Sequence, residues 1–148
     1  MGRTAQDIFN LAIQLMNEGD DETGVSDTRD NKDFKFRALP VLNVLQQECC
    51  LASDTAPEAA PGVRTVFPIL TGMDDVVPLD DFICIAVLPY GLAAHLLMEV
   101  NPDLAQKLLS RYKQLLSDAK RNIPAVSEDI GRPYGGTEWS RFGRWGTM

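Results

Sequence analysis

The stretch LDDFICIAVLPYGLAAHLLMEV, residues 79–100, decides the fold. Leu79-Asp80-Asp81 sets an aspartate N-cap ahead of an apolar run, which is a helix-start signal. Phe82, Ile85, Ala86, Pro89, Leu92, Ala93, Leu96 and Leu97 then recur at helical spacing. Ile83, Val87 and Ala94 add apolar side chains on the other faces. A helix apolar nearly all round is either a core helix or a membrane span. Tyr90, Gly91 and His95 interrupt this run and acids flank it, whereas a span needs about twenty continuous apolar residues. The stretch is therefore expected to be a core helix. Pro89 removes a backbone hydrogen bond and clashes one turn back, which predicts a kink near Ile85 to Pro89. With Gly91 beside the proline, the helix is intrinsically weak and must be held by packing on other helices. Asn101-Pro102 ends it, because a residue before proline avoids helical backbone.

Working outward, 148 residues suffice for one domain with a real core. A formal net charge of −7 argues against a tight grip on nucleic acid, which needs clustered cations. The three cysteines are Cys49, Cys50 and Cys84. Two are adjacent and the third lies in the apolar helix, which is neither zinc spacing nor a disulfide framework and points to a reducing compartment. The chain opens on an amphipathic helix rather than a signal peptide, and no segment is expected to span a membrane.

The expected fold is all-α: a four-helix bundle with kinked central helices, a long Pro-rich loop and an extended C-terminal tail. Residues 1–122 form the helical domain, with helices over about 4–18, 33–53, 80–100 and 102–121, and a loop projecting over 54–79. In the first helix, Thr4 and Asp7 have capping-box spacing. Ile8, Leu11, Ala12 and Leu15 form one stripe, and Phe9, Ile13 and Met16 a second. Two stripes suggest a helix gripped by its own domain on one side and by a neighbouring subunit on the other. Asp20 to Asn31 is an acidic loop that lacks the ligand spacing of a calcium loop. In the second helix Phe34, Ala38, Val41, Leu42, Leu45 and Cys49 share a face, and Leu39-Pro40 matches the Leu88-Pro89 of the third. Pro57, Pro61, Gly62, Pro68, Gly72 and Pro78 punctuate the segment that follows. Loops of that length are often functional. The last helix opens on Asn101 as N-cap and Pro102 at N1. Leu104, Leu108, Tyr112, Leu115 and Ala119 form its apolar face, with Lys107, Arg111, Lys113 and Lys120 in solvent. Its short junction with the third helix implies an antiparallel hairpin.

Residues 123–148 hold both tryptophans of the protein. Trp139, Phe142 and Trp145 recur at spacing three, interleaved with Arg141 and Arg144. Trp and Arg dominate binding hot spots, so the tail is expected to be a docking peptide. Chemistry has little to stand on. The single histidine, His95, lies among leucines with Glu99 four residues on, and no Cys or second His joins it at ligand spacing. Neither a phosphate loop nor a nucleophile elbow is present. The expectation is a protein without catalytic residues, cofactor or metal.

Val77-Pro78-Leu79-Asp80-Asp81, Leu88-Pro89-Tyr90-Gly91-Leu92-Ala93-Ala94-His95-Leu96-Leu97, Asn101-Pro102-Asp103-Leu104-Ala105 and Arg111-Tyr112 follow in fixed order. Ile8-Phe9-Asn10-Leu11-Ala12 and Asn43-Val44-Leu45-Gln46 precede them. This pattern, over roughly residues 4 to 121, resembles the head–tail connector (adaptor) proteins of tailed bacteriophages. The resemblance implies a helical bundle that forms a ring with itself, commonly of twelve copies, beneath the portal protein. Such a ring extends the DNA channel toward a downstream neck, stopper or tail protein. It also implies a virion protein of the neck, assembled in the host cytoplasm, past which DNA slides without specific binding. A C-terminal tail reaching into the portal would use Trp139, Arg141, Phe142, Arg144 and Trp145 as anchors. The alternative is a helical DNA-packaging factor, like a small terminase component, that binds nucleic acid.

Overall fold

The structure, a computed structural model, describes residues 2–16, 31–53 and 60–122. The fold is helical, with α1 (Ala5–Met16), α2 (Lys32–Glu48), α3 (Leu88–Leu97) and α4 (Pro102–Arg121). A short 3₁₀ turn, Cys50–Ala52, follows α2, and a π-turn, Ile83–Val87, leads into α3. No strand forms among the described residues, only one isolated antiparallel bridge between Thr4 and Val76.

The bundle is organised on α3. Leu88, Pro89, Gly91, Leu92, Ala93, Ala94, Leu96 and Leu97 are all buried, and α3 packs against each of α1, α2 and α4. Each fully buried leucine contributes about 1.5–3 kcal/mol of transfer free energy. This offsets the weak helix propensity of a segment carrying both Pro and Gly. The Leu88 N–H reaches back five residues to the Ile83 carbonyl. Instead of a plain proline break, the wider π ring makes room where the Pro89 ring would meet the carbonyl of residue 85 in a regular α-turn. Gly91 has a packing reason. A Cβ there would lie 2.9 Å from the Tyr112 ring and 3.3 Å from Leu45, so α2 and α4 both close on α3 at its one residue without a side chain.

The helix ends follow the sequence. Thr4 Oγ1 accepts from the Asp7 N–H while Asp7 Oδ2 accepts from the Thr4 N–H, a reciprocal capping box. Asn101 Oδ1 caps α4 by accepting from the Leu104 N–H. Asp80 holds the expected N-cap position, just before helical backbone begins at Asp81, but its side chain is engaged elsewhere. Its backbone carbonyl accepts the Cys84 N–H, while its carboxylate accepts from the Ser53 hydroxyl at 3.1 Å. It ties Ser53, just after the 3₁₀ turn, to the start of the π-turn. The second stripe of α1 also departs from expectation: Phe9, Ile13 and Met16 are buried in this domain together with Ala5, Ile8 and Ala12. Leu11 and Leu15, from the first stripe, are half-buried at the edges of α1. Residues 17 and 18, the acidic run and the tip of the Pro-rich loop lie outside the described residues.

The largest correction concerns the loop expected to project over 54–79. Its described part lies along α2 and then on the start of α1. The Ala5 and Gln6 N–H groups donate to the Asp75 and Met73 carbonyls, and Val77 N–H to the Arg3 carbonyl. Phe67, Leu70, Val77 and Leu79 are buried in the core. Burial of four apolar side chains, unforeseen in a loop so rich in proline, holds this segment down.

Candidate functional site

Among the described residues, three places have the chemistry to be a site. The first surrounds His95, which is half-buried. Its Nδ1 lies 2.7 Å from the Gly91 carbonyl, a contact that fixes Nδ1 as the protonated nitrogen of the neutral ring. The ring lines a shallow apolar groove with Pro40, Val41, Val44 and Leu45. Glu99, the nearest acid in sequence, turns away to Arg37 at 4.0 Å. Nothing in this arrangement pairs the imidazole with a carboxylate or a nucleophile, and it has the geometry of a packed histidine. Among the described residues, no three His, Cys, Asp or Glu side chains converge where a metal ion could sit.

The second is a polar chain between α2 and α4, with Cys49 and Tyr112 buried and Glu48 exposed at its outer end. Tyr112 donates its hydroxyl proton to Glu48 Oε2 at 2.8 Å. The Cys49 sulfur lies 3.7 Å from the same hydroxyl, so the thiol is left to donate to it. Burial pushes the Cys49 thiol up to about 11, against a smaller opposing pull from the Tyr112 hydroxyl. Burial also pushes Cys84 up to about 12 and raises Tyr112 well above the ordinary tyrosine range. Reactive cysteines need lowered values. These thiols stay protonated at neutral pH, and the chain is a packing device rather than a nucleophile.

The third is a clamp on α2. Asn43 takes Leu70 by both backbone groups: its Nδ2 donates to the carbonyl at 3.1 Å and its Oδ1 accepts from the N–H at 2.7 Å. Gln47 does the same for Phe67, at 2.8 and 2.9 Å. Gln46 donates to the Pro68 carbonyl at 2.9 Å, and the Cys50 thiol to the Thr65 carbonyl at 3.8 Å. Side-chain amides thus replace the partner strand that an extended segment would otherwise need. Residues 65–70 form a strap that runs antiparallel to α2. The signal for it was three carboxamides, at 43, 46 and 47, on an otherwise apolar helix face. The strap leaves Val66 and Ile69 facing solvent while Phe67 and Leu70 go in.

The expected docking residues, Trp139, Arg141, Phe142, Arg144 and Trp145, lie outside the described residues, so the structure neither groups nor separates them. Among the described residues, no helix is long and apolar enough to cross a membrane. Compared with protein-family models, with curated proteins and with solved structures, the chain finds no match.

Proposed function

We propose that this chain is a structural head–tail connector of a tailed bacteriophage. It forms a ring with itself below the portal protein and extends the DNA channel toward the downstream neck or tail component. The observation that carries the reading is where the resemblance falls in the fold. Its strongest part, Val77 to Tyr112, is the hub of the bundle: the π-turn, the central α3, the Asn101-capped turn and the half of α4 that closes on Gly91. These residues are packing devices, as expected of a scaffold whose working surfaces lie on its outside. The proposed docking tail carries Trp139, Arg141, Phe142, Arg144 and Trp145 as its portal anchors. The net charge of −7 lets DNA pass a channel wall without adhering to it. On this reading the protein acts in the virion neck, after assembly in the host cytoplasm, and turns over no substrate.

The test is truncation after Asn122. The shortened chain should keep its helical circular dichroism and its melting temperature but lose attachment to portal assemblies, seen by negative-stain electron microscopy or co-sedimentation. Attachment at the full-length level removes the docking role of the tail.

A second reading has one observation in its favour. The outward side of α4 exposes Lys107, Arg111, Lys113, Lys120 and Arg121 against Asp103 and Asp118. A basic helix face in an acidic protein suits a DNA-packaging factor that touches phosphates. Such a factor binds DNA with a steep dependence on salt, and a clean negative gel shift at low salt excludes it.

A further inference from the structure

A groove opens between the start of α1 and the π-turn, lined by Ile8, Leu11, Cys84 and Ile85 together with Arg3 and Asp7. The apolar surface continues past it. Ile85 is 44% exposed, and Phe82, three residues back on the same side, is 56% exposed. Val76, set beside Thr4 by the antiparallel bridge, is 55% exposed. Exposed apolar patches rimmed by polar residues mark interaction surfaces. The rim here is acidic. Asp7 lines the groove itself. Asp80 and Asp81 lie close enough to Cys84 to act on its thiol, as does Arg3. Asp74 and Asp75 are held against the start of α1, where the Gln6 and Ala5 N–H groups donate to the Met73 and Asp75 carbonyls. Against these five acids stand Arg3 and, on the last turn of α4, Lys120 and Arg121. A cover for this surface must therefore be apolar and cationic.

One segment of the chain has that chemistry, and it starts from a point close by. Residues 139–145 read WSRFGRW: Trp139, Phe142 and Trp145 with Arg141 and Arg144, and no acid after Glu138. The rings suit Phe82 and Ile85, and a guanidinium group pairs with a carboxylate through two parallel hydrogen bonds. The starting point follows from the α3–α4 packing. Gly91 faces Tyr112, so seven residues farther out on each helix Cys84 and Ala119 come about level, and α4 does pack on the π-turn. α4 thus ends beside the π-turn, with Asn122 as its C-cap. The groove lies on the α1 side of that turn, roughly 20 Å away at two interhelical spacings. Residues 123–138 span up to roughly 50 Å of chain. The other apolar groove, lined by Pro40, Val41, Val44, Leu45 and His95, has no carboxylate in its lining to meet the arginines.

We infer that residues 139–145 dock on their own domain, in the acidic groove between α1 and the π-turn, and are covered there until a binding partner competes for them. The inference rests on the docking-tail reading above and gives that tail a holding position. A docked form favoured about threefold leaves about a quarter of the chains open, and weakens attachment to any partner of the tail by about fourfold. Its gain in stability is small enough that truncation after Asn122 still leaves the melting temperature within about 3 °C.

Both tryptophans lie in residues 123–148, so tryptophan emission from the full chain reports on this segment alone. The test compares acrylamide quenching of the full chain with that of a synthetic peptide of residues 123–148. The wild type should be quenched about fourfold less than the peptide, at a level independent of protein concentration. Asp81→Lys with Phe82→Ser, both at exposed positions, should raise quenching to the peptide's level while circular dichroism stays unchanged. Arg141→Glu with Arg144→Glu should do the same without touching the helical domain. Val44→Ser, in the other groove, should leave the shielding as it was. A wild type quenched like the peptide overturns the inference, and so does shielding that survives both double variants or is lost on Val44→Ser. Shielding that grows with concentration assigns the contact to a second copy and overturns it too. Portal attachment is read separately: the Asp81–Phe82 variant should attach about fourfold more tightly than the wild type, and weaker attachment counts against a holding position. Attachment by a wild type with fully open tryptophans removes this inference and leaves the docking role of the tail. Shielding without portal attachment keeps the contact and removes that role.

Discussion

Gly91 and Tyr112 are the residues on which the helices meet. A methyl at 91 would fall within 2.9 Å of two ring carbons of Tyr112, and that ring is buried and tethered by its hydroxyl to Glu48. Alanine raises helix propensity by up to about 1 kcal/mol. Forcing apart a packed core costs about 1–3 kcal/mol, and with the ring fixed the second effect wins. Gly91→Ala should therefore lower the urea midpoint at unchanged slope, and a higher midpoint would mean that α4 is free to slide. The buried proton donors set a second expectation. Cys49, Cys84 and Tyr112 all have values raised in the folded state. A raised group contributes stability that is complete below its unfolded value and lost as pH rises toward its folded one. The unfolded thiols titrate near 9 and the tyrosine near 10. Melting temperature should hold level through neutrality and fall above pH about 9, and a midpoint constant to pH 11 would contradict the buried thiol–phenol chain. Asp75 has the opposite sign. The Thr71 and Gly72 N–H groups and the Thr71 hydroxyl hold its carboxyl below the ordinary range, so its contribution is present above its unfolded value and lost in acid.

At the scale of elements, the caps were legible and the strap was not. Thr4 with Asp7, and Asn101 before Pro102, are local signals: the residues that make the bonds sit within one turn of each other. The strap is held from α2, more than twenty residues away along the chain. Its own sequence, with one proline and one exposed valine, has no period that betrays an anchored segment. Pro89 lies between these cases, since the proline announced a disturbance but not its form as a π-turn. Asn43→Ala tests the clamp. It strips both backbone partners from Leu70 and should cost about 1–3 kcal/mol, the penalty for leaving buried polar groups unpaired. In hydrogen exchange the Leu70 amide should open faster than that of Ile8, in the core of α1. Equal protection loss at both would show that the strap and the bundle unfold as one unit.

At the scale of the molecule, the sequence spoke clearly about the core and faintly about the surface. A run apolar on all sides can only be a hub, and α3 touches every other helix. Phe36 on α2 and Leu51 in the 3₁₀ turn after it were harder to place, because both look like core residues and both stay exposed. The expected aromatic anchors fall in residues 123–148, past the C-cap of α4 at Asn122. Truncation after Asn122 keeps every described helix whole, and is expected to spare the fold and report on attachment.

The clamp on α2 grips peptide groups and never reads the side chains that point outward from the strap. Positions 64, 66 and 69 can therefore be rewritten over evolutionary time, or in a library, while Asn43, Gln46 and Gln47 keep the ribbon in place. On the connector reading, a lineage that changed assembly partners could retailor its outer surface there one residue at a time, with the scaffold beneath indifferent to the edit.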